Sequence, residues 1–112
     1  MRIYHNPRCS KSRGALELLE KNGVTPEVIR YLDMPPTREE LIELLAKLGM
    51  QPSELVRKGE SVCKENYANR EMSESDWLDA MLTHPVLIER PIIISGERAV
   101  VGRPPEKVLE LL

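Results

Sequence analysis

The 112-residue chain has no Phe, one Trp and three Tyr, so its core must come mainly from Leu, Ile and Val. Cysteine is nearly absent too: Cys9 and Cys63 stand far apart. That excludes a disulfide framework, and without a secretory signal the expectation is a reduced thiol in the cytoplasm. With only two His as well, a metal site is not expected. No apolar run approaches ~20 residues, which excludes a membrane-spanning helix. Excess positive charge is also missing. A formal net charge of -2 and a pI of about 5.7 argue against nucleic-acid binding, while leaving room for a local basic pocket. There is no internal repeat, linker or low-complexity segment.

What is present is globular. Hydrophobic residues make up 41% and charged residues 30%, in a length that fits one domain. Arg2-Ile3-Tyr4-His5 is a short strand pattern, broken by Asn6-Pro7. From Ser10 to about Asn22, Ala15, Leu18 and Leu19 recur at helical spacing, and Gly23 ends the run. Val28 to Leu32 reads as a second strand, completing a strand–helix–strand unit. Thr37 and Glu40 form a capping box before Leu41, Leu44, Leu45 and Leu48, with Gly49 as the stop. Gln51 to Met72 is polar and helical only in short pieces. Ser73 or Ser75 caps a further helix carrying Leu78, Met81 and Leu82, stopped at His84-Pro85. Then the period changes. Ile92-Ile93-Ile94 and Arg98 to Val101 flank a Gly96-Glu97 turn, and Pro104-Pro105 opens a last helix with Val108, Leu111 and Leu112 facing inward. This order predicts an α/β sandwich with a mixed sheet.

The residues that carry chemistry are gathered where the first strand meets the first helix. Cys9 sits there with Arg8, Lys11 and Arg13 close by in sequence. The unpaired amides and the dipole of a helix N-terminus favour negative charge. Such surroundings bring a cysteine from about 8.5 to roughly 3.5–7.5. Cys63 has no motif around it, and His84 reads as a helix C-cap group.

His5-Asn6-Pro7-Arg8-Cys9-Ser10-Lys11-Ser12-Arg13 resembles the active-site loop of the glutaredoxin-dependent arsenate reductase (ArsC) family, His-Asn-Pro-x-Cys followed by two residues and Ser-Arg. The resemblance continues through Tyr31 to Pro36, Leu55 to Lys58, His84 to Ile92 and Gly102-Arg103-Pro104, and so spans nearly the whole chain. It implies a thioredoxin-like fold, a mixed sheet flanked by helices, with a helical insertion subdomain. The single domain 1–112 would then have a core of 1–34 and 86–112 around an insert of about 35–85.

The resemblance also implies roles. Cys9 would be the nucleophile toward arsenate, His5 would help keep it ionised, and Ser12 would hydrogen-bond it. Arg57, Arg90 and Arg103 would bind the oxyanion, and Pro91 would follow a cis peptide bond. Glutathione would be a co-substrate rather than a bound cofactor, and glutaredoxin the protein partner. A cytoplasmic monomer without nucleic-acid or membrane partners is expected. Ser12 stands where a C-x-x-C pair would have its second thiol, so Cys9 has no local resolving partner and needs an external one. Two alternatives share the scaffold. One is a glutathione-linked thiol oxidoreductase with a different substrate. The other is a regulator of the Spx type, which senses oxidation through a C-x-x-C pair that this loop lacks.

Overall fold

The computed structural model describes residues 1–112. They form two compact units, Met1–Met34 with Arg90–Leu112, and Pro35–Glu89. The first holds a four-stranded sheet. Strand β1 (Arg2–Tyr4) leads through helix α1 (Ser10–Lys21) to β2 (Glu27–Ile29). After the other unit, β3 (Ile92–Ser95) and β4 (Arg98–Val101) complete the sheet in the order β2-β1-β3-β4. β1 and β2 run parallel, whereas β1/β3 and β3/β4 are antiparallel. This is the mixed sheet of a thioredoxin-like fold.

Strand alternation decides which side chains meet. Ile3 pairs with Ile93 across β1 and β3, and both point to the face covered by α1 and the C-terminal helical turns. There they pack with Ala15, Leu19, Val108 and Leu111. Full burial of each large aliphatic side chain stabilises the fold by about 1.5–3 kcal/mol. Tyr4, Ile92 and Ile94 point to the opposite face and are buried as well. The β3–β4 turn spans two residues between the pair Ser95 and Arg98, with φ +60° at Gly96 and no positive φ at Glu97. That is the type II′ pattern, which needs glycine first.

Three expectations change in this unit. β2 ends at Ile29 rather than Leu32, because the Asp33 and Met34 amides both donate to the Arg30 carbonyl at 2.9 Å and turn the chain. Tyr31 thereby swings inward and meets Tyr4 edge-to-face, 6.4 Å between centroids. The last helix is a 3-10 helix, Pro105–Leu111. At three residues per turn, Val108 and Leu111 share the buried face, and Leu112 falls off it to 53% exposure instead of facing inward.

The second unit is helical: α2 (Arg38–Leu48), α3 (Pro52–Leu55), α4 (Ser61–Asn66), α5 (Glu74–Thr83) and a 3-10 turn, Pro85–Leu87. The Thr37–Glu40 capping box closes reciprocally, and Gly49 takes the left-handed C-cap conformation at φ +66°. Ser73, rather than Ser75, caps α5 through a second box with Asp76. α5 is tied to α3 where the Ser53 amide and hydroxyl donate to Glu74, at 2.9 and 2.8 Å. Trp77 stacks edge-to-face on Tyr67 and lies under the Lys58 ammonium. The sequence assigns residues 86–89 to the sheet unit, yet they belong here. Val56 and Ile88 form a β-bridge, Arg57 donates from its amide to the Leu87 carbonyl at 2.7 Å, and Glu89 donates to the Leu55 carbonyl at 3.0 Å. No helix of the protein is long and apolar enough to cross a membrane.

Candidate active site

The loop after β1 is shaped by Asn6. The His5 amide still donates to the Ile29 carbonyl at 2.8 Å, which keeps the chain in the sheet for one more residue. Then the Asn6 side-chain oxygen accepts from the Arg8 amide, and its carbonyl accepts from the Cys9 amide, both at 3.0 Å. Pro7 between them has no amide hydrogen to satisfy. This asparagine turn delivers Cys9 in extended conformation, φ -97° and ψ 122°, as the N-cap of α1. Its carbonyl accepts the first helical bond, from Arg13, while its side chain makes no capping bond. The sulfur is thus left at the open end of the helix, whose first turn contains no acidic residue.

The electrostatics of Cys9 are a contest. Burial pushes the thiol pKa up. Against it act the backbone amides of Ser12 and Lys11, the Arg90 side chain as a hydrogen-bond donor, and the charge of Arg103. The second group wins, and Cys9 lies below the ordinary thiol range. Arg103 is aimed by two contacts: Nε donates to the Arg90 carbonyl at 2.8 Å, and Nη2 stands 3.5 Å from Cys9 Sγ. Arg90 and Arg103 come from either end of the β3–β4 hairpin. Pro91, joined to Arg90 by a cis bond, and Gly102 hold those ends together through the Gly102 amide and the Pro91 carbonyl, at 2.8 Å. A second cis bond, Arg103–Pro104, follows directly.

The Ser12 hydroxyl is engaged away from the thiol. That hydroxyl is fully buried on the other side, 2.6 Å from His5 Nδ1, and accepts from the Asn6 amide at 3.0 Å. It is the Ser12 backbone amide that favours the thiolate. His5 is equally indirect. Burial, then the charges of Arg30 and Arg13, hold its imidazole below the ordinary range. The His5–Ser12 pair instead fastens the first turn of α1 to the end of β1.

One sheet unit therefore brings Cys9, His5, Ser12, Arg90, Pro91 and Arg103 into one neighbourhood. Arg57 belongs to the helical unit. There its Nε lies 3.4 Å from Glu60 and its Nη1 3.3 Å from Glu89. Cys63 is buried in α4. Sequence reasoning missed Asn6 and Gly102. The Asn-Pro dipeptide ahead of the cysteine was the available signal for the first. For the second there was only a glycine beside an arginine.

The sequence matches the ArsC family over residues 4–111. It is 49% identical over 114 residues to the Escherichia coli K12 protein named Uncharacterized protein YfgD, covering 100% of this chain and 96% of that one. Against the arsenate reductase of the same organism it is 41% identical over 111 residues, 98% of this chain and 79% of the other. A solved arsenate reductase from Vibrio cholerae shares the fold with a TM-score of 0.93 at 46% identity, covering 100% of this chain and 98% of that one. With a family match over nearly its whole length and full-length relatives at this level of identity, the chain belongs to the ArsC family.

Proposed function

We propose that this protein is an arsenate reductase that works through a single thiol and takes its electrons from glutathione, with glutaredoxin restoring the enzyme. The observation that carries the reading is the Arg103 guanidinium 3.5 Å from an acidified Cys9, at an open helix N-terminus. Full-length relatives named arsenate reductase support the substrate.

The chemistry follows from charge. Arsenate is a tetrahedral anion and the attacking thiolate is another, so cations must stand between them. Guanidinium suits this because it stays charged and offers paired donors. The Cys9 thiolate attacks arsenic, and one arsenate oxygen leaves as water. A glutathione thiolate then attacks the Cys9 sulfur. The sulfur–arsenic bond breaks, its electron pair passes to arsenic, and arsenite departs. Cys9 remains in a disulfide with glutathione. A glutaredoxin thiolate takes up that glutathione and releases Cys9 as thiolate. Arg90 and Arg103 stabilise the charge that builds on the arsenate oxygens. Arg57 is proposed as a further oxyanion ligand on the family resemblance, and Arg57→Ala should raise KM for arsenate if it is one.

The testing experiment is arsenate-dependent NADPH oxidation coupled through glutathione reductase, with glutathione and glutaredoxin present. Arsenite must appear with the wild type and not with Cys9→Ser. Equal rates for the two proteins would remove the reading. Turnover of glutathionylated disulfides without arsenate reduction would move the function to a thiol oxidoreductase of another substrate.

A further inference from the structure

Between the last sheet bond of β1 and the first bond of α1 stand only Asn6, Pro7 and Arg8. The sheet bond runs from the His5 amide to the Ile29 carbonyl, and the helical one from the Arg13 amide to the Cys9 carbonyl. Asn6 makes the bonds that hold this crossing. Its amide donates to the Ser12 hydroxyl, its carbonyl accepts from the Cys9 amide, and its side-chain oxygen accepts from the Arg8 amide, each at 3.0 Å. Pro7 has no amide hydrogen, and its carbonyl receives the Arg13 guanidinium at 3.4 Å. Asn6 is buried, at 8% exposure.

The amide and carbonyl bonds use backbone groups that any residue but proline offers at position 6. The side-chain bond needs this residue type. Only the short polar side chains of Asn, Asp, Ser and Thr reach the amide two residues on. Asp would bring a negative charge into residues 1–16, which contain no Asp or Glu, beside a thiol that must ionise. Ser and Thr close the turn more weakly. The turn itself does not depend on the side chain, because Pro7 at its second position presets φ and the Asn6 carbonyl closes it. What the side chain adds is a fixed Arg8 amide, one peptide before Cys9. The Arg8 and Cys9 amides are then both turned back to Asn6, and those of Lys11 and Ser12 are left to the sulfur.

We propose that the Asn6 side chain is a positioning residue for the reaction at Cys9, locking the peptide that carries Sγ to the open end of α1 and to Arg103. This rests on the reading of Cys9 as the attacking thiolate and not on arsenate as its target. With the lock released, Cys9 samples other backbone conformations. The Lys11 and Ser12 amides, and Arg103 at 3.5 Å, then stabilise the thiolate for only part of the time. The other groups around the sulfur stay as they are. Arg90 acts on it from the β3–β4 hairpin, His5 at the end of β1 bonds to Ser12, and Arg8, Lys11 and Arg13 are exposed on the loop and first turn, where no acidic residue stands. A net hydrogen bond of ordinary strength is worth about three- to tenfold in such an equilibrium.

The test is iodoacetamide labelling of Cys9 against pH, read by peptide mass spectrometry so that buried Cys63 is counted separately. Asn6→Ala should label about three- to tenfold more slowly than the wild type below the wild-type midpoint, and within about twofold of it above the free-thiol range. Asn6→Gln keeps the amide group but sets it too far from Cα for the turn, and should be as slow. Asn6→Ser restores an acceptor at that reach and should recover most of the rate. Circular dichroism at the labelling temperature, with Cys63 still unlabelled, establishes that folded proteins are compared. If Asn6→Ala unfolds, the other two decide alone: a slow Gln variant with a recovered Ser variant supports the proposal, and equal profiles overturn it. A wild-type profile for Asn6→Ala or Asn6→Gln, or slowing by one factor at every pH, would also overturn it. The assay contains no arsenate, so its failure leaves arsenate reduction standing. A failed arsenite assay would likewise leave an observed shift in the labelling profile intact.

Discussion

Arg103 and Cys9 are 94 residues apart in sequence, yet Nη2 of the one stands 3.5 Å from Sγ of the other. The Arg90 carbonyl accepts from the guanidinium at Nε, and Nη2 faces the sulfur. Arg103→Ala removes a charge-assisted hydrogen bond to the thiolate, worth about 1.5–3 kcal/mol, and should lower kcat/KM for arsenate about 10- to 150-fold. The Cys9 pKa should rise in the same variant. Arg103→Lys keeps the charge without the fork and should recover only part of the loss. Steady-state kinetics with a pH titration of alkylation checks both, and an unmoved thiol pKa would take Arg103 out of the thiolate's surroundings.

The acidified thiol has its own pH signature. Cys9 is lowered in the folded protein relative to the ordinary value of an unfolded thiol. Its contribution to stability is fully present above that unfolded value and is lost as pH falls through the lowered folded value. Reactivity follows the same window, because only the thiolate attacks. Iodoacetamide labelling should therefore stay fast at pH values where free cysteine has become slow, and decline only at lower pH. The wild type's stability advantage over Cys9→Ser should shrink as the pH is lowered through that window. A labelling midpoint at the free-cysteine value would contradict this.

Ser12 tests the positioning role. Its buried hydroxyl serves both His5 Nδ1 and the Asn6 amide, so Ser12→Ala leaves two buried polar groups without it. The expected cost is about 1–3 kcal/mol in denaturant unfolding. The Ser12 amide stays in place, so the thiol pKa should move far less than in Arg103→Ala. If instead the pKa rises as much while stability is unchanged, the hydroxyl acts on the sulfur after all.

Gly102 sets how closely the end of β4 approaches the start of β3. A Cβ there would lie 2.9 Å from Pro91 Cγ and 3.1 Å from Ile93 Cδ1. Gly102→Ala should cost about 1–3 kcal/mol of stability by overpacking. It should also raise KM for arsenate, because Arg103 is the next residue. Wild-type stability and KM in this variant would show that the contact is slack.

How much of this could be read from the sequence depends on distance along the chain. The Cys9 loop, the capping boxes and the Ile92–Ile94 strand are local patterns, and a helix-start cysteine among cations carries its own chemical meaning. Arg90 and Arg103 stood out only through resemblance to a family, since nothing local tells a site arginine from a surface one. The misreadings came from tertiary choices. β2 ends early and lets Tyr31 turn inward to meet Tyr4, and the last helix winds as a 3-10 helix that leaves Leu112 outside. The close approach of Gly102 to Pro91 depends on the hairpin closing, which no single residue announces.

The central claim is that Cys9 passes electrons to arsenate with glutathione as the source. It is tested most directly in a single turnover without glutaredoxin. The protein is mixed with arsenate and glutathione, arsenite is quantified, and Cys9 is identified by peptide mass spectrometry. The predicted result is arsenite equimolar with protein and Cys9 trapped as its glutathione disulfide. A Cys9 that still reacts readily with iodoacetamide, with no arsenite formed, would contradict it.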